Sequence, residues 1–158
     1  MDMMEVGNGM SESEDRAHFS LWAIMASPLI TGNDLRSMSD NTKEILTNKD
    51  MISINQDKLG IQAMKWIDEG DLEIFVKPLE SGEFAILFLN RADNAKQVKH
   101  DWAFHYLKDD IFKQEVYFDK QFFNWKNVWT GAKGDTKGRL NVTIPAHDVL
   151  VLRLTPRK

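Results

Sequence analysis

The 158-residue sequence contains no cysteine. Disulfide frameworks, thiolate nucleophiles and cysteine-ligated zinc are therefore excluded, and redox compartment cannot be inferred. It also lacks a long apolar run: no stretch reaches the ~18 residues of a membrane span, so no membrane partner is expected. A basic excess is missing as well. The formal net charge is −4, and the lysines and arginines are scattered rather than striped. Without a cationic field to neutralise phosphates, nucleic acid is not an expected partner. There is no G-x-S-x-G nucleophile elbow and no phosphate-cradling glycine loop, GNG at residues 7–9 being too short. The first residues lack a basic segment followed by an apolar one, so no secretory signal is read there and a soluble chain is expected.

What is present is a globular balance, 42% hydrophobic and 28% charged, in a length that holds one domain or a small domain plus part of another. The pattern changes near residues 58–60. Before that point it is helical in period. Ser11 with Glu14 three residues on forms a capping box, which predicts a helix carrying Phe19, Trp22, Ala23 and Met25 until Pro28 breaks the ladder. MMEVGN before the helix and PLITGN after it read as short apolar strands. Ser39 or Asp40 caps a second helix with Ile45 and Leu46, and a short segment, DMISINQD, follows. Alternation of strand and helix predicts parallel strands with helical crossovers.

The second half predicts an antiparallel β-sandwich of about eight strands. LEIFVKPL, FAILFLNR, LNVTIP and VLVLRL have strand length and are bounded by Gly, Ser, Asn and Asp turns. FAILFLN is apolar on both faces and should be central; Asn141 and Thr143 alternate with Leu140, Val142 and Ile144, as for a strand with one wet face. Residues 104–123 alternate aromatics with Lys and Asp without clear punctuation.

Candidate chemistry is sparse. His100 and His105, five apart on an extended segment, should face opposite ways and not share a metal. His18 and His147 are isolated and expected at the surface. Trp22 is expected in the core, whereas Trp102, Trp125 and Trp129 could serve either packing or sugar stacking. Asp109 and Asp110 diverge on an extended segment and read as a solvated turn. Asn141-Val142-Thr143 matches a glycosylation acceptor but falls within a predicted strand. Asp2 stands at the edge of a strand that precedes a helix, where α/β barrels place reactive groups, yet it is one carboxylate of a pair.

DMMEVGNGM, HFSLWAIMASPLITGNDLR and KDMISINQDKLGIQ, with VWTG and the closing IPAHDVLVLRL, resemble in order the later part of the glycoside hydrolase family 27 α-galactosidases. Only the segment from about Phe104 to Asn127 departs, by being longer. The resemblance implies an α/β plus all-β fold: the last two β/α units of a (β/α)8 barrel in residues 1–59, then an antiparallel β-sandwich in residues 60–158. It implies that the chain begins at the seventh barrel strand, with Met1 where the family usually has proline. Family members are retaining glycosidases that use two aspartates and no cofactor, acting on α-galactoside carbohydrate. Both aspartates belong to earlier strands, so no catalytic residue is assigned here. Asp2 and Met3 match positions lining the galactose pocket. Two strands cannot close a barrel, so residues 1 to about 57 are expected to be partly exposed or to self-associate through the open edge. The alternative is a non-catalytic carbohydrate-binding or structural β domain.

Overall fold

A computed structural model describes residues 3–109 and 114–157 of the chain. Three helices come first: α1 (Glu12–Ile24), α2 (Asp40–Leu46) and α3 (Lys49–Asn55). The capping box at Ser11 and Glu14 opens α1 as expected, and Ser39 and Asn48 cap α2 and α3 by accepting from the amides of Thr42 and Met51. The DMISINQD segment is thus helical. Before and after α1, Met4 and Thr31 form a parallel bridge: the Met4 amide donates to the Ile30 carbonyl at 2.7 Å, and the Gly32 amide to the Met4 carbonyl at 3.0 Å. Strand, helix and parallel strand make the crossover unit that the alternation predicted.

Ten strands follow among the described residues, two more than the eight or so expected, because short pieces lie between the obvious runs. They are β1 (Met64–Glu69), β2 (Leu72–Pro78), β3 (Phe84–Asn90), β4 (Lys96–Asp101), β5 (Tyr106–Asp109), β6 (Gln114–Tyr117), β7 (Phe123–Asn127), β8 (Lys133–Asp135), β9 (Arg139–Ile144) and β10 (Val149–Pro156). A six-stranded antiparallel sheet runs β1-β2-β3-β10-β7-β8, and two ribbons, β4-β9 and β5-β6, form the opposing layer. β3, the FAILFLN run, is central as its composition required.

That sheet is covered on both sides. Its inner face, with Ile74, Val76, Phe84, Ile86, Phe88, Leu152 and Leu154, packs with Val98, Trp102, Leu107, Val116, Phe118 and Leu140 of the opposing layer. Its other face, with Phe75, Ala85, Leu87 and Val151, shares a core with Phe19, Ala23 and Ile24 of α1, Ile45 of α2, Met51 and Ile54 of α3, and Met4 and Val6. The chain is therefore three layers, helix on sheet on sheet. Residues 1–57 are less isolated than two open barrel strands implied, since their helices bury one face on the sandwich. The expected alternation in β9 holds: Leu140 and Ile144 are buried, while Asn141 and Thr143 face water. No helix among the described residues is long and apolar enough to cross a membrane.

Candidate functional site

Of the residues that the sequence singles out, Met3 lies at the edge of the parallel pair. Met4 is buried toward the helices, so its neighbours Met3 and Glu5 project to the opposite side of the strand. Met3 is 46% exposed. Asp2, the other sequence-predicted site residue, lies outside the described residues. Across the pair, Gly32 approaches closely. A Cβ at that position would lie 3.0 Å from the Met4 carbonyl oxygen and 3.4 Å from the Met3 Cβ, so the absence of a side chain lets the two strands meet.

The loop after the first strand is held by α1. Gly7 adopts φ +83°, and its amide donates to Asp15 Oδ1 at 2.9 Å; a Cβ there would come within 2.7 Å of Thr42. Both the backbone and the space call for glycine. The Glu5 amide donates to His18 Nε2 at 3.3 Å, which requires that nitrogen to be unprotonated, and burial lowers the His18 pKa in the same direction. Asn8 donates to the Glu5 carboxylate at 2.9 Å. Asp15 and His18 are three apart on one face of α1 and so address one loop, a helical spacing that was readable in the sequence. At the end of the second strand, Asn33 Oδ1 is buried without a hydrogen-bond partner among the described residues. The edge thus exposes Met3 and Ile30 beside Glu5, with Leu35 exposed in the loop that follows.

The other candidates fall elsewhere. His100 and His105 correct the sequence expectation. They do not face opposite ways but stack, with centroids 4.2 Å apart and planes within 8°. The 3-10 turn Trp102–Phe104, whose first free amide is taken by Asp101, interrupts the extended chain and folds His105 back over His100. Stacked rings place their nitrogens side by side rather than converging, and no group of three metal-ligating side chains occurs among the described residues. Burial, then the neighbouring His105, pushes the His100 pKa down to about 3. His18 is half-buried and packs on Trp22 at 5.6 Å, whereas His147 sits in a turn against Asp93. Trp22 packs against the helix-side core as expected. Trp102 is wholly buried; Trp125 donates to the Asp135 carbonyl and Trp129 to Ser20 Oγ, so all three are packing residues. Asp109 ends β5, and Asp110 lies outside the described residues.

With this geometry established, comparison with known proteins is decisive. Residues 1–57 match the family described as alpha galactosidase A, and residues 69–154 match the alpha galactosidase C-terminal beta sandwich domain. The chain belongs to the glycoside hydrolase family 27 α-galactosidases. Alpha-galactosidase A of Cellvibrio japonicus is 71% identical over 99% of this chain, and an alpha-galactosidase of Oryza sativa subsp. japonica is 35% identical over 98%. The chain spans 39% and 35% of those two proteins. Among solved structures, alpha-galactosidase I from Mortierella vinacea superposes with a TM-score of 0.82 at 32% identity, over 98% of this chain and 38% of that one. The Saccharomyces cerevisiae α-galactosidase with raffinose matches at TM-score 0.82 and 20% identity over 99% of this chain and 46% of that one, a likeness of fold. In this family 27 chain the parallel pair and α1 are therefore the end of a barrel, and the layered strands are the sandwich that follows it.

Proposed function

We propose that this chain forms the last two β/α units and the sandwich of a retaining α-galactosidase that removes terminal α-linked galactose from oligosaccharides or glycoconjugates. The division falls at residues 1–59 and 60–158. The observation that carries the reading is the parallel pairing of Met4 with Thr31 around α1, with Met3 projecting from the side away from the helices. Barrel enzymes build their sites at the C-terminal ends of their strands, on the loops that lead into the helices. Asp2 and Met3 line the galactose pocket. The two catalytic aspartates, which in a retaining enzyme stand about 5 Å apart, come from strands outside these 158 residues. Their chemistry needs no cofactor. A free-standing sugar-binding or structural β domain is not favoured, because the likeness to α-galactosidases runs through residues 1–57 as well as the sandwich. In the isolated chain, the exposed edge that carries Met3 and Ile30 joins with a second copy of itself.

The test is a chimera in which this chain replaces the corresponding 39% of the Cellvibrio japonicus protein, beside the 158-residue chain alone. The chimera should hydrolyse an aryl α-galactoside, and Asp2→Ala should raise KM or abolish turnover. The chain alone, folded by circular dichroism, should be inert. Turnover by the chain alone, lost on changing Asp2, contradicts this assignment.

A further inference from the structure

Seven large hydrophobic side chains are notably exposed among the described residues, and they divide by chemistry. Met3, Ile30, Leu35 and Leu59 lie in residues 1–59. The other three, Phe104, Tyr106 and Tyr117, are all aromatic, and all belong to the turn and ribbon around β5 and β6. In that ribbon Leu107 and Val116 point into the sandwich core, so the alternate residues point out. Tyr106 pairs directly with Tyr117 across the ribbon, their rings 6.0 Å apart and within 22° of parallel. Phe104 is 80% exposed, Tyr106 58% and Tyr117 39%. Beside them Trp66, Phe104, His105, Tyr106 and Lys108 line a shallow depression of about 320 Å³. The Trp66 indole N–H is spent on the Tyr106 carbonyl at 3.0 Å, which fixes the floor.

We infer that this outer face of the β5-β6 ribbon is an accessory binding surface for neutral, galactose-bearing saccharide chains, separate from the barrel edge. Its identity as a galactoside surface rests on the proposed function. The chemistry favours a sugar over other occupants. Among the described residues the patch exposes aromatic faces and polar groups, with no aliphatic side chain among its large exposed residues. Galactose suits such faces, because its axial C4 hydroxyl leaves the C3, C4 and C5 hydrogens together on one apolar side. Charge is mixed rather than clustered: Lys108 stands opposite Glu115, whose carboxylate accepts from the Tyr117 hydroxyl, and Lys120 lies 4.9 Å from the Tyr117 ring. One lysine in excess of one carboxylate is not the cationic cluster that phosphate or carboxylate recognition uses. The depression is the size of a small-ligand pocket, whereas a stable protein interface buries roughly 800 Å² on each partner.

The experiment is native gel electrophoresis of the 158-residue chain with and without galactomannan in the gel, an assay that requires no hydrolysis. Wild type should be retarded by the polysaccharide. Phe104→Ala/Tyr106→Ala should weaken retardation at least about tenfold, since each aromatic contact is worth roughly 1 kcal/mol. Phe104→Tyr should retain it. Both side chains are exposed, so the melting temperature should stay within about a degree or two of wild type. Absence of retardation in wild type overturns the inference, as does retardation that the double variant keeps. Loss of self-association in the double variant, with no polysaccharide effect, assigns the patch to protein contact and overturns it too. An inert chimera with a galactomannan-retarded chain would leave this surface standing and sink the catalytic reading alone.

Discussion

The two faces of the large sheet are both buried, but by different means. On the sandwich side the cover is dominated by rings: Trp102, Phe84, Phe88, Phe118, Phe123 and the stacked histidines meet edge-to-face or tilted. On the helix side the packing is aliphatic and fringed with charge. Arg16 of α1 clasps the buried Asp148 with Nε to Oδ1 at 2.9 Å and a second nitrogen to Oδ2, Lys126 pairs with Asp50 of α3, and Arg153 bridges Glu83 and Ser53. Lys77 goes further, being wholly buried with its amine unpartnered among the described residues. A ring-filled core resembles the interior of one domain. A fringe of ion pairs around aliphatic contacts is closer to an interface between two. The comparison teaches that the barrel units are docked on the sandwich rather than merged with it.

Breaking the sandwich side should cost most. Trp102→Ala removes the largest wholly buried side chain and should lower stability by about 3–5 kcal/mol in urea unfolding, because the rings around it cannot all collapse into the space. A loss under about 1 kcal/mol would mean that the aromatic layer is loose.

Acid should sharpen the contrast next. His100 is neutral in the folded state and gains its proton readily only when unfolded, where its pKa is near 6.5. The unfolded chain therefore binds more protons below that value, and stability falls as pH drops from about 6.5 toward 3. Between pH 6.5 and 4.5 the loss should be roughly 2–3 kcal/mol, at about 1.4 kcal/mol per unit. His105, stacked on it and also lowered by burial, acts in the same direction. In His100→Phe the slope of stability against pH over this range should flatten, which paired urea titrations would detect.

The smallest expected effect is a gain on the helix side. Burial lowers the Lys77 pKa, and the folded state bears the cost of an unpaired amine. Lys77→Met keeps the stem and removes that charge, so it should stabilise the chain by roughly 1–3 kcal/mol. Destabilisation would place an undetected partner at the amine.

Lys77 also marks where sequence reading stops. In LEIFVKPL the charged residues Glu73 and Lys77 alternate with Leu72, Ile74 and Val76, a pattern that reads as a strand with one wet face. Helices cover that face, and nothing local to β2 announces them. By contrast, FAILFLN declares its double burial in its own composition, and Ser11 with Glu14 declares the start of α1. The strand, helix, strand order made the parallel pair legible, whereas Met3 is singled out by the family resemblance alone. The histidine pair was misread because a three-residue 3-10 turn shifts the count of facing residues, and no Gly or Pro marks it. The aromatic ribbon is hidden for a related reason: residues 104–123 alternate aromatics with Lys and Asp without turn residues to fix which rings face out, and those that do are Phe104, Tyr106 and Tyr117.

Native-state hydrogen exchange on the 158-residue chain tests most directly the claim that an open barrel edge is docked on a doubly covered sheet. Ile86 and Leu152, in the central strands, should exchange only through global unfolding. The Met4 and Gly32 amides, bonded across a single parallel bridge at an exposed edge, should exchange orders of magnitude faster. Equal protection throughout the chain would contradict the account.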